Sequence, residues 1–160
     1  MGWHLNIIAI EQPYSKVVEY LDVLSVFQQN ASFEVATSNI NPQTPAFTYL
    51  HGFILIFDVY CKMFNDRAFH DLIFRGDEIK MFQILPTPGY KHRANKKNIV
   101  RLTGIKEFTD ELTLRNILIE DQGDGERLAW QLFNDEIFAK QSIGINDDLW
   151  NAKFDLWQVD

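Results

Sequence analysis

Near the start of the chain, Leu5-Asn6-Ile7-Ile8-Ala9-Ile10 is rich in isoleucine and too short for a helix, which predicts a first strand. Pro13 and Ser15 punctuate it. Val17, Val18, Leu21, Leu24 and Phe27 then recur at helical spacing, with Lys16, Glu19 and Asp22 on the other side. That pattern predicts an amphipathic helix over 15–28 with Ser15 as its N-cap. Phe33-Glu34-Val35-Ala36-Thr37 alternates like a half-buried strand. Residues 39–45 read as a loop, because Pro42, Pro45 and two asparagines deny it a regular ladder.

A long apolar stretch from Phe47 to Tyr60 predicts a third strand with Gly52 as a bulge. Its run Phe53-Ile54-Leu55-Ile56-Phe57 leaves no polar face, which places it in the centre of a sheet. Asn65 is a candidate cap for a second helix lined by Phe69, Leu72 and Ile73 and closed by Gly76. Residues 78–85 then read as a fourth strand. The order strand, helix, strand, strand, helix, strand over 5–85 is the α+β, ferredoxin-like (βαββαβ) pattern, an antiparallel four-stranded sheet with two helices on one face.

Pro86-Thr87-Pro88-Gly89-Tyr90 ends that unit, and the polar residues 91–98 read as an exposed loop followed by a short strand at 99–102. Residues 110–121 fit either period, and Thr109 as N-cap tips the reading towards helix. Gly123-Asp124-Gly125 is a break, after which Asp124 caps a helix over 125–140 bearing Leu128, Leu132, Phe133 and Ile137. Asp147 or Asp148 opens a last helix that aligns Trp150, Phe154 and Trp157. Residues 1–160 are thus expected to form one domain. Its parts are a core over 5–85, a basic loop and short strand over 86–106, and an acidic helical half over 107–160 packed on the sheet.

Charge sharpens this division. Residues 91–106 hold six bases and no acid, whereas residues 107–160 hold 13 acids and four bases, within a chain of net charge −7. The 46% apolar content excludes intrinsic disorder. The longest apolar run is far short of the roughly 20 residues a bilayer helix needs. The first residues lack the basic start of a secretory signal, and one cysteine, Cys61, allows no internal disulfide framework, so a cytoplasmic protein is expected.

Candidate chemistry is sparse. Cys61, His70 and Asp58 are the densest reactive group, and a nucleophilic cysteine would need a base such as His70 close by. A free cysteine beside an apolar strand is more commonly a small buried hydrophobe. His4, His51, His70 and His92 lack paired spacing, and Glu120–Glu126 fails as a calcium loop because Gln131 stands where a bidentate Glu is required. No metal or cofactor is therefore expected. Lys91, Arg93, Lys96, Lys97 and Arg101 offer a phosphate or nucleic-acid contact, but no RNA-binding aromatic motif accompanies them and the net charge opposes a polyanion.

The missing catalytic signatures and the acidic second half together predict a small protein-binding module rather than an enzyme. Its model would be an immunity or inhibitor protein that neutralises a basic partner such as a toxin enzyme. Glu120, Asp121, Asp124, Glu126, Asp135 and Glu136 are the expected contacts, with Trp150 and Trp157 as anchors. Three alternatives stand beside it. One is a small-molecule binder or enzyme with a pocket between sheet and C-terminal helices. The second is a nucleic-acid accessory protein using residues 90–101. The third is a homo-oligomeric subunit whose strand edges and tryptophans are buried between copies.

Overall fold

The computed structural model describes residues 5–16, 24–37, 45–58, 78–95, 97–119, 121, 123–140 and 144–159. Eight strands form a single sheet: β1 Leu5–Ile10, β2 Leu24–Ala31, β3 Ala46–Leu50, β4 Phe53–Asp58, β5 Ile79–Ile84, β6 Gly89–Ala94, β7 Lys97–Thr103 and β8 Phe154–Val159. Their order is β2-β8-β3-β4-β1-β5-β6-β7, and every pairing is antiparallel. Among the described residues four α-helices accompany it: α1 Phe33–Ala36, α2 Gly104–Leu114, α3 Gly125–Phe138 and α4 Asp147–Trp150.

This sheet replaces the expected four-stranded ferredoxin-like arrangement, and the second half of the chain contributes β6, β7 and β8 to it as well as helices. Residues 24–28 of the expected first helix belong to β2, while Tyr14–Lys16 form a 3-10 turn. Val17, Val18 and Leu21 lie outside the described residues, as do the loop over 39–44 and the expected helix from Asn65 to Gly76. Ser32 accepts from Val35 N at 3.3 Å and so caps α1 where a strand was expected, and Phe33 and Ala36 are its buried positions.

The expected third strand is two strands. His51 (φ 52°) and Gly52 (φ 82°) form a two-residue turn with both central residues left-handed, the geometry that matches the twist of a tight hairpin. The polar stretch 91–98 is likewise most of the β6–β7 hairpin, its turn entered at Asn95 (φ 53°). The expected last helix stops at Trp150 with Asn146 as its cap, and Phe154–Val159 becomes β8. β8 sits between β2 and β3, so the C-terminal strand is interior to the sheet.

β4 lies between β3 and β1 with both faces buried, as its unbroken apolar run implies. One face of the sheet carries Leu5, Ile7, Leu55, Phe57, Phe82, Ile84, Tyr90, Phe154 and Leu156. These pack with Phe108 and Leu112 of α2, with Leu128, Leu132 and Phe133 of α3, and with Leu149 of α4. Each such side chain taken out of water contributes roughly 1.5–3 kcal/mol. Ile8, Ile10, Phe47, Ile54, Ile56, Ile79 and Met81 alternate onto the opposite face and are also buried. No helix among the described residues is long and apolar enough to cross a membrane.

Candidate functional site

α2 begins earlier than its sequence suggests. Thr103 is its N-cap residue, and the Glu107 carboxylate accepts from the Thr103 backbone N–H, closing the first turn from within the helix. With that start, Phe108 and Leu112 fall on the buried side. Glu107, Asp110 and Leu114 lie at i, i+3 and i+7 on the outer side, and Glu111 sits at the flank. Leu114 is 79% exposed. The chain leaves the helix through Asn116 (φ 59°), and Leu118 beyond it is 76% exposed. Asp121 follows, also exposed, its Oδ1 accepting from Gly123 N at 3.1 Å. Two leucines thus project into water between acidic residues.

The acids expected to form the contact face take different positions. Asp124 caps α3, its Oδ1 accepting from Glu126 N at 3.1 Å and Arg127 N at 3.2 Å, and its Oδ2 lies 3.4 Å from Arg127 Nε. Glu126 is half-buried in the first turn of α3. Glu136 turns towards the sheet, and Asp135 pairs with Arg115 at the end of α2. Lys80 Nζ donates to Glu136 Oε2 at 2.6 Å, and Arg115 Nη1 donates to Glu136 Oε1 at 2.8 Å and to Asp135 Oδ2 at 2.9 Å. Arg115 Nε also donates to Glu111 Oε1 at 3.0 Å, and the Tyr90 hydroxyl reaches Glu136 Oε1 at 3.3 Å. Glu120 lies outside the described residues.

This cluster ties α2 and α3 to β5 and β6. Glu136 keeps only 13% of its side chain in solvent. That desolvation pushes its pKa up, but the hydrogen bonds from Lys80 and Arg115 outweigh it and hold the carboxyl below its ordinary value. Burial also works against the Arg115 charge, yet Asp135, Glu136 and Glu111 raise its pKa above normal. Tyr90 is driven well above the usual phenol range by burial and then by the neighbouring Glu136 charge, so it stays protonated and can donate.

Trp150 is half-exposed, with its ring centroid 5.4 Å from that of Phe33, so it covers α1 as well as facing solvent. Trp157 belongs to β8, and its side chain lies outside what is described. Asp58 ends β4 and is buried opposite Asn6 of β1. Cys61 and His70, its proposed partners, lie outside the described residues, as does His4. Among the described residues no group of three or more His, Cys, Asp or Glu side chains could hold a metal ion. His92 accompanies Glu78 at 2.5 Å, and His51 bonds Asp148 at 2.9 Å.

No protein-family model, curated protein or solved structure matches the chain. What the chain offers for function is therefore its own surface.

Of the basic residues, Lys91, Arg93, Lys97 and Arg101 stand on the β6–β7 hairpin rather than on a loop, and Lys96 lies outside the described residues. Lys91 pairs with Arg101 across the ladder, on the side away from Tyr90 and α3. Sequence reasoning had singled out neither Asp110 and the exposed leucines as one surface nor Lys80 and Arg115 as the partners of Glu136. The α2 stripe would have emerged by taking Thr103, not Thr109, as the cap. The partners of Glu136 come from strand pairing and helix docking, which leave no local trace.

Proposed function

We propose that the chain is a protein-binding module that docks a basic protein partner on the outer side of α2 and the connection leading to α3. The observation that carries this reading is the pair of almost fully exposed leucines, Leu114 and Leu118, set between Asp110 and Asp121. A single exposed leucine is ordinary; one in the last turn of the helix and one just beyond its end, with exposed carboxylates before and after them in the chain, form an anchor with a charged rim. Carboxylates at such a rim raise the rate of encounter with a cationic surface, and the leucines slow its departure once seated. Neutralisation of a basic toxin enzyme by an inhibitor or immunity protein is the biological form that suits this surface, and a chain with one cysteine suits the reducing cytoplasm.

The surface differs from the one expected from charge alone. Asp135 and Glu136 are held by Arg115 and Asp124 caps a helix, so Asp110 and Asp121 take the steering role. The test is capture from the source cell, followed by measurement of the purified partner's association and dissociation rates at several salt concentrations. Asp110→Lys with Asp121→Lys is expected to slow association roughly tenfold and flatten its salt dependence. Leu114→Ser with Leu118→Ser is expected to speed dissociation by a similar factor while leaving the melting temperature unchanged. A captured protein that binds all four substitutions as tightly as the wild type would overturn the assignment.

A further inference from the structure

β7 ends the sheet order, so one of its sides meets no strand among the described residues. Val100 and Leu102 of this strand turn inwards and pack against the core. Ile99 does not. The ladder passes from Arg93 opposite Asn98 to His92 opposite Val100, which leaves Ile99 as the extra residue of a β-bulge. Its side chain is 59% exposed, and the exposed cations Lys97 and Arg101 stand two residues before and two after it. Neither cation belongs to an ion pair among the described residues.

The end of α2 is its converse. Leu114 and Leu118 are exposed between Asp110 and Asp121, and neither carboxylate has a cationic partner among the described residues. Five large apolar side chains are exposed among the described residues, and these two surfaces hold three of them. Ile99 and the leucines are exposed in the same molecule, so they do not cover one another within one chain. Like charge keeps each surface from pairing with itself. Two β7 edges paired about Ile99 would set Lys97 of one copy opposite Arg101 of the other, and two facing α2 ends would bring carboxylates together. The bulge also interrupts the regular ladder that an added strand needs. Each surface matches the other instead: an apolar anchor between two cations fits two apolar anchors between two carboxylates.

We infer that the chain associates with a second copy of itself, the β6–β7 hairpin of one copy seating Ile99 against Leu114 and Leu118 of the next. Lys97 and Arg101 then face Asp110 and Asp121 across the rim. The two surfaces are different, so the contact is heterologous: it repeats from copy to copy unless the rotation between copies closes it. Three aliphatic anchors and a few rim charges make a small contact, which sets the dissociation constant in the range of about 10 μM to 1 mM. The inference rests on the docking surface assigned above and names what occupies it when the basic partner is absent. Self-contact shields the leucines from water, and a partner that binds them more tightly displaces the second copy by mass action.

The experiment is sedimentation of the full chain over about 10 μM to 1 mM, with amide NMR across the same dilution series. The average mass should rise with concentration, and the amides that shift should lie at 97–101 and 114–121. Ile99→Ser, and Leu114→Ser with Leu118→Ser, should each weaken self-association at least about tenfold while the melting temperature stays within about 2 °C of the wild type. An equimolar mixture of these two proteins should associate where neither does alone, because each keeps the surface that the other has lost. Lys97→Glu with Arg101→Glu should also weaken it. Adding Asp110→Lys and Asp121→Lys to that chain exchanges the two rims, keeps the net charge at −7 (four charges removed, four added), and should restore association. A wild type that stays monomeric, a mixture that stays monomeric, or an exchanged chain that fails to recover would each overturn the inference and leave capture of a basic partner on Leu114 and Leu118 standing. A wild type that associates in this way, with a captured partner indifferent to the leucine and aspartate substitutions, keeps the self-contact and removes the partner reading.

Discussion

The end of the sheet formed by β5, β6 and β7 carries charge on both faces and handles it in opposite ways. Towards the helices, Lys80 and Arg115 converge on Glu136, Arg115 also holds Glu111 and Asp135, and the phenol of Tyr90 donates into the same cluster. Opposite charges meet there at hydrogen-bond distance and fasten α2 and α3 to the strands. On the reverse face, Lys91 and Arg101 stand directly across one ladder, with Arg93 two residues further along β6. The first arrangement joins opposite charges across elements, whereas the second sets like charges opposite each other on one ladder.

Removing one charge from each side should expose this contrast most strongly. Glu136→Gln leaves Lys80 and Arg115 partly buried around a neutral amide, and the loss should be about 2 kcal/mol. That is less than for a fully dry pair, because Arg115 retains Asp135 and Glu111. Lys91→Met removes a repulsion instead, so it should leave stability unchanged or raise it by about 0.5 kcal/mol. Urea denaturation of the two variants beside the wild type decides the matter. A Lys91→Met protein destabilised as much as Glu136→Gln would mean that the hairpin cations are structural too.

Acid and alkali should separate the faces next. The folded-state pKa of Glu136 lies below the ordinary value, so its stabilisation is fully present above the ordinary carboxylate pKa of about 4.3. It is lost as pH falls through the depressed folded value. The stability gap between wild type and Glu136→Gln should hold from pH 7 to pH 5 and close below about pH 4. Lys91 behaves in the other direction. An amine whose folded pKa is lowered binds fewer protons folded than unfolded, so its penalty is present at neutral pH and fades as pH rises towards about 10.4. Any advantage of Lys91→Met should therefore vanish at the alkaline end, where the gap for Glu136→Gln persists.

The parts of this molecule that could be read from sequence are those whose signal is local. β1, β4 and β5 announce themselves by short apolar or alternating runs, and α3 by the Asp124 cap ahead of Leu128, Leu132 and Phe133. β2 and β8 could not be read this way, because each finds its partner at the other end of the chain: Leu24–Ala31 pairs with Phe154–Val159. Over 15–28 and 147–157 the apolar residues happen to fit helical spacing, and the competing strand pattern gains its weight only from that distant pairing. The β3–β4 turn hid behind His51, since Asn or Asp is the usual residue at a left-handed turn position. The basic hairpin looked like a loop because Lys91 and Arg93 alternate with His92, and the stretch has few apolar residues to mark an inner face. A polar row across the sheet is the extreme case. Asn6, Asp58, Gln83, Gly89 and Thr103 are single polar or small residues in five strands, and only register brings them together.

Salt provides the finest discrimination between the two faces. The Debye length falls from about 10 Å at 0.1 M ionic strength to about 3 Å at 1 M, and screening acts most on charges that solvent reaches. Arg101 is exposed and Lys91 half-exposed, whereas Glu136 is mostly covered. Raising sodium chloride from roughly 0.1 to 1 M should therefore abolish the small difference between Lys91→Met and wild type, while the loss in Glu136→Gln changes by less than a quarter.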